Sequence, residues 1–320
     1  MFAFFEHNTY FCIMNRLTSV LFSIATLVFF NSCDLVKYHP YEDVHDVPTG
    51  LTLQNISRIE QLGKGRDTIR FACITDTQRQ YDLTRQVVSY LNDCENIDFV
   101  LHAGDLTDFG VADEFKWMVD ELDELRLPWL TVIGNHDFLG TGEHNYHKIF
   151  GALNYSLNVG HVHLVCMNTN SREQEYQLPV PDFGFLQDDI RQVNELNTAH
   201  PDSLTHTIIL MHARPGDEQF NNNVAIPFMF YMRQYPGIDV DSPVFSKDDL
   251  ESWNISDEDK EHIVGTFRYS LIINGHNHHH QLVRAMDDNL LFYGVPSIKE
   301  REVYFFTITP DGLIYENDTF

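Results

Sequence analysis

The chain has 320 residues, of which 43% are hydrophobic and 13% aromatic, a composition that excludes a disordered protein and suffices for a full core. Its formal net charge is −26, and so acidic a chain lacks the clustered lysines and arginines that nucleic-acid binding requires. The charge does not exclude phosphate substrates, because bound metal ions reverse the field around a site.

The N-terminal residues 1–33 have the pattern of an export signal. A basic start at Arg16 precedes the apolar run Leu17–Phe30, which is short for a membrane span of roughly 20 residues but suits a signal-peptide core. Phe30–Cys33 then resembles the lipobox of bacterial lipoproteins, in which the cysteine is lipidated. We therefore expect an exported lipoprotein, anchored through Cys33 in a bacterial outer membrane or periplasm-facing membrane. An uncleaved signal anchor is the alternative.

Residues 34–66 form a polar lead-in with turn signals, which we expect to tether the domain and partly to pack on it. From Ile69 to Ile133 the patterns predict strands at 69–74, 99–103 and 129–133 and helices at 81–92 and 111–125. Polar residues follow these strands at intervals of about 30 residues, which is typical of βαβ units with parallel strands.

The rest of residues 67–320 completes one predicted α/β domain with two sheets. Strands are predicted at 155–157, 162–167 and 205–211, with a helix at 185–196. Residues 213–245 lack periodicity and contain several prolines, which predicts a long active-site loop. An acidic helix start at Ser256 follows, and then a predicted meander with strands at 271–274, 281–285, 290–293, 303–309 and 312–315.

Short polar clusters follow five of the predicted strands. They are Asp76-Thr77-Gln78, Gly104-Asp105, Gly134-Asn135-His136-Asp137, Met211-His212 and Gly275-His276-Asn277-His278. The carboxyl ends of parallel strands are where active sites form in such sheets. Carboxylate, amide and imidazole groups together are ligands for a metal ion. The clusters therefore predict an enzyme with a metal site.

In their order and spacing, the clusters closely resemble the calcineurin-like metallophosphoesterase superfamily. The pattern of that superfamily runs D-x-H, G-D, G-N-H-D, H and G-H-x-H, and the resemblance extends from about Arg70 to His278. It implies a four-layer αββα sandwich, in which two mixed β-sheets are flanked by helices. It also implies a phosphoric ester hydrolase that acts on phosphomonoesters or phosphodiesters.

The resemblance further implies a dinuclear metal centre. The implied ligands are Asp76, Gln78 and His278 for the first ion, Asn135, His212 and His276 for the second, and Asp105 bridging both. In the family, two ions clamp a phosphoryl oxygen and acidify a shared water, and the resulting hydroxide attacks phosphorus in line.

Three further residues are candidates for roles toward the substrate. His136 is implied as a proton donor to the leaving group, beside Asn135 in the substrate site. Asp137 is expected to orient His136 through a hydrogen bond, or else to cap the following turn. Arg214 is expected to neutralise a phosphate oxygen, with a surface salt bridge as the alternative.

Gln78 departs from the family pattern, which has histidine at this position. An amide oxygen is a harder donor than imidazole, so either Gln78 binds the first ion weakly or a water replaces it. We expect Mn²⁺ to be favoured, with Fe, Mg²⁺ or Zn²⁺ as the other possible ions. A second departure is Asp108, which stands where purple acid phosphatases have an iron-binding tyrosine, and we expect it to support the site or cap a helix.

Several neighbouring residues keep two interpretations. His102 is expected either to support the ligands or to be an ordinary strand histidine. The aromatic residues of the predicted loop could stack on a substrate or anchor the loop; they are Phe220, Phe228, Phe230 and Tyr231. His279 and His280 are not predicted to be ligands, since alternation turns one of them away from the ions.

The leading hypothesis is a membrane-tethered, metal-dependent phosphoesterase whose partners are a phosphate ester and, through the lipid anchor, the membrane. Its oligomeric state is left open, and no nucleic-acid partner is expected. The alternative is a catalytically weakened relative that serves as a binding or interaction lipoprotein, for which Gln78 is the support. A nutrient-capture lipoprotein would leave the polar clusters unexplained.

Overall fold

The computed structural model describes residues 41–177, 179–237, 270–284, 290–310 and 312–320, and the structural statements below concern these residues. The expected signal peptide with Cys33, the helix predicted to begin at Ser256 and the end of the predicted 213–245 loop lie outside them. Within the described part of the chain, no helix is long and apolar enough to cross a membrane.

The strands lie close to the positions predicted from the hydrophobic runs. They are β1 (Ile69–Ile74), β2 (Phe99–His102), β3 (Trp129–Thr131), β4 (Tyr155–Val159), β5 (Val162–Met167), β6 (His206–Met211), β7 (Ser270–Asn274), β8 (Gln281–Arg284), β9 (Leu291–Gly294), β10 (Glu302–Thr309) and β11 (Gly312–Thr319).

Amphipathic patterns predicted half of the described helices. The helices are α1 (Leu51–Gly63), α2 (Tyr81–Asp93), α3 (Ala112–Leu122), α4 (Gly142–Ile149), α5 (Phe183–Ala199) and α6 (Ala225–Met232). The predictions of α2, α3 and α5 are confirmed. Helix α6 was expected to be loop, because it contains Pro227 and is apolar throughout, so it shows no amphipathic period. Helices α1 and α4 were not predicted either, although Ile59 of α1 and Tyr146 of α4 pack into apolar clusters.

Two sheets of mixed direction build the domain. The first has the order β11-β10-β1-β2-β3, and the second has the order β4-β5-β6-β7-β9-β8. In the first sheet β1, β2 and β3 are parallel, as the spacing of the polar clusters predicted. In the second sheet β5, β6, β7 and β9 are parallel. The carboxyl ends of five cluster-bearing strands therefore lie at two sheet edges.

Three apolar clusters show the layers. Phe71, Leu101 and Ile208 belong to a cluster that the two sheets share, while alternate residues of the same strands pack outward. Outward-facing residues of the first sheet pack with α2, α3 and α4, and those of the second sheet pack with α5 and α6. This order of helices, sheet, sheet and helices is the expected four-layer sandwich.

The predicted C-terminal meander is wrong in its connections, although two of its antiparallel pairs, β8 with β9 and β10 with β11, are present. Strand β7 pairs with β9 in parallel, and β10 crosses to the first sheet, where it pairs antiparallel to β1. Strand β10 buries Tyr304 and Phe306 between the sheets and Val303 and Phe305 under the helices. A strand that is apolar on both faces has to be covered on both sides. Between β11 and β1, the second sheet covers one face of β10 and the helices cover the other.

Candidate metal centre

The polar clusters meet where the carboxyl edges of the two sheets approach each other. His212 follows β6 of the second sheet, and its Nδ1 lies 2.8 Å from the carbonyl oxygen of Ala103, which follows β2 of the first sheet. Likewise, His276 follows β7 and Asp76 follows β1, and the backbone N–H of His276 donates to Asp76 Oδ2 at 3.3 Å. Clusters that are far apart in the chain thus come within hydrogen-bond distance.

One group of ligand-type side chains surrounds Asp76. Its Oδ1 lies 3.1 Å from His278 Nε2, and one ligand atom each from Asp76, Asp105 and His278 lie within 4.8 Å of one another. Thr75 donates its hydroxyl to Asp76 Oδ2 at 2.8 Å, and Ser297 donates its hydroxyl to the Asp76 carbonyl at 3.0 Å. These contacts hold the aspartate in one orientation.

A second group surrounds the side-chain oxygen of Asn135. This oxygen lies 3.1 Å from His212 Nε2 and 3.0 Å from His276 Nδ1. Asp105 Oδ1 lies 3.4 Å from the same His212 nitrogen. Asp105 therefore contacts the second group while it also belongs to the first.

Gln78 lies beside both groups and is buried. Its Nε2 is 3.4 Å from Asp105 Oδ2, and its Oε1 is buried without a hydrogen-bond partner. A buried carbonyl oxygen without a donor is unfavourable, because it has lost its water and gained no partner. With the amide rotated by half a turn, this oxygen would face a cation beside Asp105 and gain a partner, so the residues present fit a metal ion.

The charges of the site fit a cation as well. Asp76 and Asp105 are both buried, and among the described residues they form ion pairs with histidines and with no lysine or arginine. Burial by itself would raise the pKa of Asp105, but the neighbouring His212 and His136 together outweigh burial and lower this pKa. Burial would likewise lower the pKa of His212, yet Asp105 raises it to about 10. A metal ion can replace the proton that this pair retains.

The ring orientation of His212 suits a ligand. Its Nδ1–H donates to the Ala103 carbonyl, which leaves Nε2 facing Asp105 and Asn135. Histidines that bind metals commonly donate their second ring nitrogen in this way.

Four of the predicted ligands have a backbone conformation that is rare outside glycine. The φ angles are 52° at Asp76, 59° at Asp105, 70° at His276 and 60° at His278. Such residues cost on the order of 1 kcal/mol each and persist where the surrounding structure imposes them, often at functional sites.

Two glycines allow the loops to approach so closely. A Cβ on Gly104 would lie 2.6 Å from His212 Nδ1, and a Cβ on Gly134 would collide with the backbone and carboxylate of Asp105. The glycine before each ligand is therefore required by the contact between neighbouring loops.

The imidazole of His136 is oriented by a different residue from the one expected. Its Nδ1–H donates to the backbone carbonyl of Asp108 at 2.8 Å, and its backbone N–H donates to Asp105 Oδ1 at 3.0 Å. The side chain is 37% exposed, so Nε2 is the ring nitrogen that remains for a substrate. The prediction that Asp108 supports the site is consistent with this contact.

The prediction that the His136 imidazole donates a hydrogen bond to Asp137 is wrong. The Asp137 carboxylate accepts hydrogen bonds from the backbone of Leu106, Thr107 and Gly134. Burial raises its pKa to about 6, and the charge of Asp105 adds to this effect. Asp137 thus ties the Asp105 loop to the loop after β3, and it acts on the position of Asp105.

Arg214 lies in an ion pair. Its guanidinium is 3.5 Å from Asp217 Oδ1 and 3.3 Å from Gln281 Oε1, and its side chain is 12% exposed. Asp217 also accepts hydrogen bonds at 3.3 Å from Asn277, which lies between two of the predicted ligands. The alternative that Arg214 forms a salt bridge therefore describes this geometry, except that the pair is buried instead of lying on the surface. Through Asp217 the pair supports the loop that carries His276 and His278.

The remaining candidates have structural contacts. His102 accepts from the Gly104 N–H and lies 3.0 Å from the Thr77 hydroxyl, which connects three loops behind the ligands. Phe220 and Phe228 are buried in the cluster beneath α5 and α6, so they anchor their segment, while Phe230 is 60% exposed.

Sequence reasoning did not single out Thr75, Arg79, Asp217 or Ser297, which all contact the predicted site residues or their supports. Thr75 and Arg79 adjoin the first polar cluster, and Asp217 follows His212 closely, so proximity in the chain was an available signal for these three. Ser297 has no such signal, because it reaches Asp76 from a distant turn.

Comparisons with solved structures find distant similarities. One solved structure, the GAP50 anchor of the Plasmodium inner membrane complex, has 12% identity and a TM-score of 0.48, with 79% of this chain and 85% of that chain covered. A putative 5′-nucleotidase from Staphylococcus aureus has 12% identity and a TM-score of 0.44, with 78% and 53% covered. The purple acid phosphatase PPD1 from yellow lupin has 13% identity and a TM-score of 0.43, with 80% and 54% covered. This chain thus spans about half of the last two proteins.

Resemblances this distant leave the activity to be argued from the residues of the chain itself. No curated protein is significantly similar to it in sequence. The family model described as calcineurin-like phosphoesterase matches residues 69–280, which is more than half of the chain and includes every cluster that the two sheet edges bring together. The chain therefore belongs to the calcineurin-like phosphoesterase family.

Proposed function

We propose that this protein hydrolyses phosphomonoesters or phosphodiesters at a dinuclear metal centre. The observation that carries the proposal is the position of Asp105, which contacts one ligand-type group around Asp76 and another around Asn135. A carboxylate between two such groups would be placed to serve two ions, which together would supply positive charge for a phosphoryl group.

The proposed ligands follow the two groups. They are Asp76, Gln78 and His278 for the first ion, Asn135, His212 and His276 for the second, and Asp105 for both. The buried Oε1 of Gln78 supports its inclusion. Because Gln78 provides an amide oxygen, we propose Mn²⁺ as the favoured ion over Zn²⁺.

The residues around the proposed ions have separate roles in the reaction. When bound, the ions supply positive charge for the phosphoryl oxygens and acidify water for attack. His136 donates a proton from Nε2 to the leaving oxygen, while Asp108 holds its ring through Nδ1. The backbone N–H of His136 fixes Asp105 Oδ1, and Asp137 fixes the loop that carries Asp105.

A catalytically weakened binding protein is not favoured by this geometry. Buried carboxylates and rare φ angles both cost free energy, and the site has both, with rare φ angles at four of the proposed ligands. A protein that binds no metal would have no reason to keep these unfavourable features.

Hydrolysis by the purified protein with Mn²⁺ tests the proposal. We expect turnover of 4-nitrophenyl phosphate or of bis(4-nitrophenyl) phosphate, and comparison of the two distinguishes a monoesterase from a diesterase. In Asp105→Asn we expect the rate to fall by at least about 10³-fold, since the bridging charge is lost. If a folded wild-type protein shows no metal-dependent turnover of any phosphate ester, the proposal is wrong.

We also propose that Cys33 is lipidated and anchors the protein to a membrane. The support is the apolar run followed by the lipobox-like segment Phe30–Cys33. In a bacterial host, the wild type should incorporate a labelled fatty acid and sediment with membranes. Cys33→Ser should lose the label, and label that persists in this variant would exclude Cys33 as the lipidation site.

A further inference from the structure

An exposed arginine lies beside the proposed proton donor. Arg79 directly follows Gln78, has a φ of 62°, and its side chain is 61% exposed. Its guanidinium forms an ion pair with Asp108 and lies 5.1 Å from the centre of the Phe109 ring. The arginine is therefore held in place although it faces solvent.

Asp108 connects this arginine to His136. The Asp108 carboxylate pairs with Arg79, and its backbone carbonyl accepts from His136 Nδ1 at 2.8 Å. The cation and the imidazole thus contact the same residue at the rim of the metal centre. Since His136 serves the leaving oxygen in the proposed function, Arg79 lies on the leaving-group side.

The guanidinium retains hydrogen-bonding capacity. Among the described residues its contacts are with Asp108, through one terminal nitrogen, and with the face of Phe109. A guanidinium has five N–H donors, so the others remain for a ligand. Arg214 differs, because its side chain is nearly buried, its terminal nitrogens donate to Pro215 and Gln281, and its Nε lies buried without a hydrogen-bond partner.

We propose that Arg79 is a specificity residue that binds an anionic group on the leaving group, so that organic diphosphates, whose leaving group is itself a phosphate, are better substrates than the corresponding monophosphates. This inference rests on the function proposed above. Arginine pairs well with phosphate through its planar fork, and the contacts with Asp108 and Phe109 restrict its rotamers before substrate binds.

Arg79 and His136 would assist the departure of different leaving groups. In a diphosphate, a water oxygen bonds to the terminal phosphorus, the bridging P–O bond breaks, and its electron pair stays on the departing monophosphate, while the proton of the water goes to solvent. A phosphate leaving group is weakly basic and benefits from the charge of Arg79. An alcohol leaving group is strongly basic and needs the proton of His136.

Adenosine diphosphate and adenosine monophosphate provide a matched test. Loss of the terminal phosphate leaves an anionic group in the first case and a neutral nucleoside in the second. The readout is the ratio of kcat/KM for the diphosphate to kcat/KM for the monophosphate, measured from initial rates in the full chain with Mn²⁺.

We expect Arg79→Gln to lower this ratio by about tenfold or more, as is typical of a lost charge-assisted hydrogen bond. Arg79→Lys keeps the charge without the fork and should give an intermediate ratio. His136→Asn should raise the ratio, because it slows the monophosphate more. The matched control is Arg85→Gln, an equally exposed arginine that pairs with Glu121 and Asp82 on the surface, and it should leave the ratio unchanged.

An unchanged ratio in both Arg79 variants, with melting curves like that of the wild type, overturns the inference. So does a wild type that hydrolyses 4-nitrophenyl phosphate but neither adenosine nucleotide, and in that case the proposed function stands. A wild type that hydrolyses no phosphate ester overturns the proposed function and this inference together.

Discussion

At the residue scale, Gln78 is the position in the candidate metal centre where the chain departs from the pattern that the family resemblance implies. Its amide is buried, with Nε2 near Asp105 and Oε1 without a partner. Rotation of the amide by half a turn exchanges its two ends, so the oxygen can face a cation beside Asp105 without movement of the backbone.

Substitution of Gln78 should change the preference between metal ions. Imidazole is a softer ligand than an amide oxygen, so Gln78→His should raise the affinity for Zn²⁺ relative to Mn²⁺ by roughly tenfold. Competitive metal titration measures this change. Gln80→His, two residues along the chain, is the control, and an unchanged preference in Gln78→His would argue against Gln78 as a ligand.

Gly134 should tolerate no side chain. In Gly134→Ala the added Cβ meets the backbone and carboxylate of Asp105, which cannot move without displacing a ligand. We expect the free energy of unfolding to fall by about 1–3 kcal/mol, with a large loss of Mn²⁺ affinity. Gly184→Ala in α5 is the control, because its Cβ would meet the side chain of Asp182 at 3.2 Å and alanine favours a helix. Urea denaturation and metal titration measure both effects, and equal stability of the two variants would contradict the predicted collision.

At the element scale, β2 connects its neighbours through His102. Its Nδ1 accepts from the Gly104 N–H, so Nε2 carries the proton and donates to Thr77 after β1. Burial lowers the pKa of His102 to about 4, and the nearby charges of Asp76 and His212 change this value in opposite directions. The folded protein therefore requires the neutral imidazole.

The pH dependence of stability follows from this pKa. Between pH 6.5 and about 4 the unfolded chain binds a proton at this histidine and the folded chain does not, so the contribution is complete above pH 6.5 and is lost as the pH falls toward 4. The loss amounts to about 3 kcal/mol. Asparagine does not titrate in this range. Between pH 6.5 and 4, the free energy of unfolding of His102→Asn should therefore fall by about 3 kcal/mol less than that of the wild type, as measured by urea denaturation at each pH. Parallel profiles for the two proteins would show that His102 is protonated in the fold.

The elements also show where sequence patterns suffice. The strands were predictable because buried strands are continuous apolar runs, and α2, α3 and α5 were predictable because each buries one face. Helices α1, α4 and α6 were not predictable, since tertiary contacts such as that of Ile59 and burial on several sides determine them.

At the scale of the whole molecule, the candidate metal centre lies where the two sheets meet. Asp76, Asp105 and Asn135 follow strands of the first sheet, while His212 and His276 follow strands of the second. Ions held between them would add bonds across the sandwich that the unfolded chain cannot form.

Metal binding should therefore stabilise the fold. At a Mn²⁺ concentration about 100 times the dissociation constant, the free energy of unfolding should rise by about 2.7 kcal/mol for each independent site. A chelator should reverse the accompanying rise in melting temperature, and Asp105→Asn should show little of it. Equal shifts in wild type and Asp105→Asn would place the stabilising ion elsewhere.

The sequence by itself determined the strands, the parallel order of β1, β2 and β3 and the set of ligand-type residues, because these depend on local patterns and on motif spacing. Tertiary structure decided the crossing of β10 to the first sheet, the orientation of His136 by Asp108 rather than Asp137, and the place of Arg79 at the rim. The reason is that neighbours in a motif need not be neighbours in space. The turn from Asn135 to Phe138 directs the Asp137 carboxylate to the backbone behind the site, while His136 faces the rim.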